Sequence, residues 1–245
     1  MTSGDDVKDA DAALVNGEAP PSRHVPLDRG RILDAAISYI DEQGLAGLTM
    51  RRLGQALGVE AMALYRYVAG KEELLDGVVD RLVAGMQADE QVLDRPSDGW
   101  QDFVQRLAHG VRRVALAHPK AFPLVASRPP EAPWLRPPLR SLEWVEAFLA
   151  GLESEGFSDE AAVAAYRAFT SFLLGHLLLE ASTHGADLGP LDVVEESVEP
   201  GLEDFPIVHR LRHQLAEDKA AVEFEEALEE LLNRMALVRQ EGNDG

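Results

Sequence analysis

Apolar residues recur along this chain at helical intervals, and the recurrence stops at glycine, proline and acidic clusters. Leu33, Ala36, Ile37 and Ile40 mark one helix face, behind Asp28 as an N-cap candidate. Gly44 and Gly47 interrupt it. Thr49 is placed to cap a second helix with Leu53, Ala56 and Leu57 turned inward, and Gly58 supplies a tight turn. A third helix then buries Val59, Leu64 and Val68, and a long one from about Lys71 carries Leu74, Leu75, Val78, Val79, Leu82, Val83 and Met86.

The pattern breaks from Asp94 to Gly99 and resumes from Trp100 to Ala117, where Phe103, Val104, Leu107, Val111 and Val114 share a face. His118-Pro119 ends that helix, and the proline-rich stretch Ser127–Pro138 cannot be one continuous helix. Helix returns from about Leu139 to Glu155. Ser158 caps the most apolar helix, which runs to Thr183. Gly185 to Pro206 reads as an acidic loop, followed by a short helix from about Ile207 and a longer one from Lys219 to Arg239. No convincing period-two strand pattern occurs. The expected fold is all-α: an N-terminal three-helix unit containing a helix-turn-helix (27–72), then a larger helical domain (73–240). Residues 1–26 form an acidic arm with little to bury.

Charge changes this picture locally. The formal net charge of the 245 residues is -20, which by itself argues against a nucleic-acid partner, because phosphate is neutralised by Lys and Arg. Yet from Thr49 to Lys71 the charged residues are Arg51, Arg52, Arg66 and Lys71 against Glu60 alone. A basic patch on an acidic body can steer the chain to DNA through one face. Cysteine is absent, so no disulfide or thiolate zinc site exists. No uninterrupted apolar stretch reaches transmembrane length and no apolar signal core opens the chain. The expectation is a cytoplasmic protein without a membrane role. No zinc-protease helix motif, phosphate-binding glycine loop or cysteine nucleophile is present, and the expectation is that it is not an enzyme, with no cofactor and no metal.

A helix-turn-helix needs a bracing helix, a turn allowing close approach, and a second helix whose outward residues reach base edges. Here the outward set is Ala61, Met62, Ala63, Tyr65, Arg66 and Tyr67. Small residues let the backbone approach bases, apolar groups suit thymine methyls, and tyrosine hydroxyls, Arg66 and Lys71 suit phosphate oxygens. The alternative for Tyr65 and Tyr67 is that they are partly buried braces.

The runs Leu48-Thr49-Met50-Arg51-Arg52-Leu53, Leu57-Gly58-Val59, Leu64-Tyr65-Arg66-Tyr67-Val68 and Lys71-Glu72-Glu73-Leu74-Leu75-Asp76 resemble the tetracycline-repressor (TetR) family of transcription regulators. Weaker similarity to that family's regulatory domain continues through Trp100–Phe103, Ser127-Arg128-Pro129, Gly156-Phe157-Ser158 and Phe169–Gly175, so the resemblance covers about Leu27 to Arg239. It implies a DNA-binding set of Thr49, Met50, Arg51, Ala61, Met62, Ala63, Tyr65, Arg66, Tyr67 and Lys71. Arg51 would read a base and Ala61–Ala63 would face bases, with Thr49, Tyr65, Tyr67 and Lys71 on phosphates. Arg52 points to another side and reads as solvated or ion-paired. The resemblance also implies that residues 73–240 are a regulatory domain for ligand binding and dimerisation, and that the chain is a homodimeric repressor released from a palindromic double-stranded operator when a small-molecule effector binds; the alternatives are control by a protein partner, or activation of transcription. Ala165, Phe169, Phe172, Leu173, Leu228, Leu231 and Met235 are candidate dimer stripes, unless they pack within one subunit.

The regulatory domain departs from the tetracycline-binding pattern. The histidine that holds the magnesium-drug chelate aligns with Leu124, and a metal-supporting glutamate aligns with Leu179, with Glu180 one place later. Ser127 keeps a hydroxyl nearby. Leucine offers no lone pair, and magnesium requires oxygen-rich ligation. The expected ligand pocket is therefore more apolar, with Leu107, Val111, Leu124, Ser127, Phe148, Phe172 and His176 as candidate lining and Trp134 and Trp144 nearby; it suits a drug-like, lipid-like or aromatic molecule. His209 and His213, four apart, have a spacing that can ligate a metal, but beside Arg210 and Arg212 they read first as solvated surface histidines. Titration calorimetry with tetracycline and magnesium is expected to show no magnesium-dependent binding; a tight magnesium-dependent isotherm would contradict the loss of the chelate site.

Overall fold

The computed structural model describes residues 26–87, 96–128, 132, 134–137, 141–186, 201 and 204–243. Among these residues every regular element is helical, as the spacing of apolar positions requires. The N-terminal arm and most of the acidic loop from Gly185 lie outside the described residues.

Helix α1 (Arg29–Gln43) begins where the Asp28 carboxylate accepts a hydrogen bond from the Arg31 N–H at 2.8 Å, which satisfies one of the orphan donors of the first turn. It buries Ile32, Leu33, Ala36, Ile37 and Ile40. A single 3-10 turn (Leu45–Gly47) leads to α2 (Met50–Leu57), whose first turn is capped by the Thr49 hydroxyl accepting from the Arg52 N–H at 3.2 Å. Gly58 ends α2 in the left-handed region at φ 68°, where a side chain would be strained. The one-turn α3 (Ala61–Leu64) and the long α4 (Lys71–Gln87) follow.

Two expectations for this unit are corrected. The buried face of α2 is Met50, Leu53 and Gly54, with Leu57 half-buried, and Ala56 is exposed. Positions 50, 53, 54 and 57 share a face at 3.6 residues per turn, whereas 56 falls about a third of a turn away. Val59 precedes α3 and is only half-buried.

The larger body contains α5 (Trp100–Ala117), α6 (Pro123–Ser127), α7 (Leu142–Ser154), α8 (Asp159–Thr183), α9 (Pro206–Leu215) and α10 (Ala220–Asn243). The sequence pattern places α5 and α8 correctly. It misses α6, which is too short to show a period. It also starts α7 early: Ser141, whose hydroxyl accepts from the Trp144 N–H at 3.2 Å, is the actual cap. The Ser158 hydroxyl caps α8 by accepting from the Ala161 N–H at 3.3 Å.

Helix α8 lies at the centre, packed against α5, α7 and α10. By length and composition its 25 residues are apolar enough to cross a bilayer, although Arg167 and Glu180 interrupt the apolar run. Its apolar side chains Ala165, Phe169, Leu173 and Leu177 are instead buried within this fold. Most of the residues expected to form a dimer seam are consumed in the same way: Ala165, Phe169, Leu173, Leu228 and Met235 are buried within one subunit. Helix α4 touches α1 on one side and α5 and α6 on the other, so the N-terminal helix-turn-helix unit and the body share one continuous core.

Gly54 permits the close crossing of α2 and α3. A Cβ there would lie 2.9 Å from the Val59 carbonyl oxygen and 3.2 Å from the Ala61 nitrogen, both backbone atoms with little freedom to yield. Gly54→Ala is expected to destabilise the protein by about 1–3 kcal/mol, the usual cost of overpacking, read as a lower midpoint in thermal or urea unfolding. An unchanged midpoint would show that the two helices can separate without cost.

Candidate nucleic-acid interface and regulatory cavity

Capping, turn and core fix which side chains the helix-turn-helix unit can present. Leu64 and Val68 are buried, so α3 and the turn after it are anchored on one side. The opposite side exposes Met62 at 74%, with Tyr65, Arg66 and Tyr67 also exposed, and Ala61 and Ala63 half-buried. Tyr65 and Tyr67, at 44% and 38% exposure, each keep part of the side chain at the surface. Arg51, Thr49 and Lys71 are exposed beside them. Met50 is removed from the set: at 9% exposure its side chain belongs to the core. Arg52 has a specific role. Its guanidinium donates to the Gly47 carbonyl at 2.9 Å, where the Tyr39 hydroxyl also donates at 3.3 Å, so it braces the turn before α2.

The expected ligand residues separate into five places. A cavity of about 30 Å³ lies between α4, α5, α6, α7 and α8, lined by Val83, Met86, Val111, Phe122, Val125, Trp144, Thr170, Leu173 and Leu174. Val111 and Trp144 are the expected residues that line it. Leu107 and Phe148 are buried in the core without lining it. Leu124 and Ser127 face an open cleft of about 880 Å³ that separates the Leu45–Ala46 turn and Lys71 from α6 and the end of α8. Phe172 and His176 turn the other way and pack on Phe224 of α10, at ring distances of 5.7 and 5.3 Å. Trp134, at 75% exposure, is outside every one of these.

The division along α8 follows from helical geometry. Positions 170, 173 and 174 are spaced i, i+3, i+4 and face the cavity, while 172 and 176 are spaced i, i+4 on the flank toward α10. Sequence alone shows both stripes as apolar and cannot tell which neighbour each meets. Thr170 was the detectable signal, as a polar residue inside an apolar run. Val83 and Met86 were legible as buried but not as cavity walls.

Glu180, the candidate remnant of a metal-supporting carboxylate, is 5% exposed and committed elsewhere: it accepts two hydrogen bonds from the Arg112 guanidinium, one of them 3.0 Å long. These bonds hold the Arg112 pKa above its ordinary value against the opposing effect of burial. His209 and His213 are both exposed on α9, and no cluster of three metal-ligating side chains occurs among the described residues.

Three charged contacts tie α1 and α4 to their surroundings. Arg128, just past α6, donates to Glu72 at 2.8 Å and to Asp76 at 2.9 and 2.6 Å, both at the start of α4. Burial alone would lower the Arg128 pKa, but the hydrogen bonds to Glu72 and Asp76 outweigh it and hold it above the usual value. His118, at the end of α5, sits 2.8 Å from the Asp41 carboxylate of α1. Arg81 of α4 forms a two-point pair with Asp34 of α1 at 2.7 and 3.1 Å. The first two contacts bind the body to the N-terminal helix-turn-helix unit. Arg128→Ala removes the guanidinium that donates to the half-buried Asp76 and to Glu72 and is expected to lower stability by about 1–3 kcal/mol. Denaturant titration checks this, and a loss below a few tenths would show that solvent satisfies the carboxylates equally well.

Comparison with known proteins agrees with this geometry. Residues 32–78 match the family described as bacterial regulatory proteins, tetR family, and residues 94–238 match the tetracyclin repressor-like C-terminal domain. The chain is 30% identical over 174 residues to the HTH-type transcriptional repressor DrrR1 of Streptomyces coeruleorubidus, spanning 71% of this chain and 61% of that protein. It is 31% identical to the class D tetracycline repressor protein of Escherichia coli, over 66% of this chain and 70% of that one. Among solved structures it is similar to one described as a possible TetR family transcriptional regulator from Streptomyces coelicolor A3(2), with TM-score 0.67, 30% identity and coverage of 86% and 100%. It is also similar to the TetR family protein ActR of Streptomyces coelicolor in complex with actinorhodin, with TM-score 0.64, 25% identity and coverage of 86% and 96%.

Proposed function

The chain belongs to the tetR family of bacterial regulatory proteins and is a ligand-responsive DNA-binding regulator; from that premise we propose a repressor released from a palindromic operator when a small, largely apolar molecule occupies the cavity beneath α4. The observation that carries this reading is that two walls of the cavity, Val83 and Met86, belong to the same helix whose first turn is held by Arg128 and whose flank packs on α1.

At about 30 Å³ the cavity holds little more than a water molecule. A larger ligand must displace a wall, and α4 or α6 is the wall that also touches the DNA-reading unit. Displacing either strains the Arg128 contacts and re-aims α3. The ligand shifts the balance by the difference between its affinities for the contracted and expanded states, and operator affinity falls by the same factor.

The proposed DNA contacts are Arg51, Ala61, Met62 and Ala63 at bases, and Thr49, Tyr65, Arg66, Tyr67 and Lys71 at phosphates. Arginine suits guanine because its planar fork matches O6 and N7. A homodimer would place two copies of α3 about 34–36 Å apart, one turn of the duplex. Leu179 on α8 and Val222 and Leu237 on α10 are large, apolar and exposed, and they support an isologous seam on the outer faces of those helices. The relatives are transcriptional regulators, which supports a regulator without catalysis, acting in the cytoplasm where its operator lies. The proposed domain limits remain 27–72 and 73–240, with α4 as the shared element.

Selection from a randomised duplex pool is expected to enrich an inverted repeat. Arg51→Ala is expected to relax preference at one guanine per half-site, at a cost of about 1–3 kcal/mol for each specific contact. Lys71→Ala is expected to weaken all sequences alike and to reduce the salt slope by about 1 per subunit. Enrichment of no sequence, or equal relaxation by both variants, would contradict the assignment.

A further inference from the structure

The cavity is chemically asymmetric. Thr170 is the polar member of its lining, and none of the lining residues is charged. Thr170 is 3% exposed, and its hydroxyl oxygen makes no hydrogen bond. The nearest candidate partner, Tyr166 one turn earlier, gives its own hydroxyl to the Pro137 carbonyl at 3.0 Å. Burial pushes the Tyr166 phenol upward, and a weak hydrogen-bonding interaction with the Thr170 hydroxyl opposes this shift; with the Tyr166 hydroxyl committed to Pro137, the Thr170 oxygen has no partner at full hydrogen-bond geometry. An unmade hydrogen bond on a buried hydroxyl is costly, and such a group calls for an explanation. Threonine in a helix populates two χ1 rotamers, so the hydroxyl can turn into the lumen once the cavity opens.

A second asymmetry lies in the ring arrangement. Trp144, Phe148 and Phe169 lie within 18° of parallel, with centroids 5.5 Å (Trp144–Phe148), 6.1 Å (Trp144–Phe169) and 5.0 Å (Phe148–Phe169) apart. Of these three rings, only Trp144 borders the cavity. A flat ligand ring entering there can extend an existing parallel stack, which favours offset contact between aromatic faces. A charged ligand would be desolvated against uncharged walls without an ion partner.

We propose that the effector is an uncharged planar aromatic molecule that stacks on Trp144 and carries one oxygen hydrogen-bonded to the Thr170 hydroxyl, making Thr170 the residue that reads its polarity. This rests on the cavity being the effector site.

The probes are 1-naphthol, naphthalene and 1-naphthoate, titrated by calorimetry and by tryptophan emission into the full-length chain and its Thr170→Val, Thr170→Ser and Trp144→Phe variants. The expected result is that 1-naphthol binds and quenches emission, that the quenching is lost in Trp144→Phe, and that 1-naphthoate binds at least tenfold more weakly. Thr170→Val should weaken 1-naphthol about tenfold, the scale of one hydrogen bond, and leave naphthalene unchanged. Thr170→Ser, which keeps the hydroxyl, should restore most of the naphthol affinity. If 1-naphthol and naphthalene respond identically to Thr170→Val, the polarity reading is overturned while the cavity remains the binding site. Equal binding of 1-naphthoate overturns the requirement for an uncharged ligand. If neither neutral probe binds, or binding leaves the Trp144 contribution unaltered, the cavity itself is not the effector site and the proposal falls with it.

Discussion

Helix α4 must satisfy two hydrophobic cores at once. Its residues Leu74, Leu75, Val78, Val79, Leu82, Val83 and Met86 are all buried, which is more apolar surface than one contact face can absorb. Gly77 lets α4 approach α1 closely: a Cβ there would lie 2.7 Å from a Leu33 methyl. Arg81 ties the same flank to Asp34. Farther along, Val83 and Met86 close the cavity in the body. A helix packed on both sides in this way cannot move against one core without disturbing the other, because close-packed interiors transmit displacement instead of absorbing it.

Polar contacts follow the same logic. Arg128 leaves the end of α6, whose Phe122 and Val125 flank the cavity, and reaches the first turn of α4. The cavity and the start of α4 are thus connected through one short helix and one guanidinium. Arg112 and Glu180, by contrast, pair deep between α5 and α8, with the Arg112 guanidinium 5.0 Å above the Phe224 ring. That pair joins α8 to α5 and engages both Glu180 carboxylate oxygens. On the proposed mechanism, attachment on the α5–α8–α10 side and a small cavity on the α4–α6 side would direct ligand-driven movement toward the helix-turn-helix unit.

The helix-turn-helix was legible because its signals are local. Asp28, Thr49 and Gly58 cap and turn within a few residues of where they stand, and Leu53, Leu64 and Val68 recur at a period that any straight helix imposes. The errors came where a residue's direction depends on a neighbour. Met50 follows its cap directly and reads as surface until α2 is seen to turn it into the core. Arg52 reads as a free charge until the Gly47 carbonyl is brought to 2.9 Å. The cavity was less legible still. Leu107, Phe148, Leu124, Phe172, His176 and Trp134 have the right chemistry for a pocket wall, but only the packing of α8 against α7, α5 and α10 assigns each to core, cleft, flank or solvent.

The amino-acid sequence by itself determined the helical class, the caps, the turn at Gly58 and the concentration of positive charge from Arg51 to Lys71, because each depends on residues close in the chain. Only the tertiary structure decided that Thr170, Trp144 and Met86 meet around one cavity and that Arg128 reaches Glu72 and Asp76. Those residues lie on different helices, and their meeting is set by the angles at which the helices pack, which no local spacing encodes.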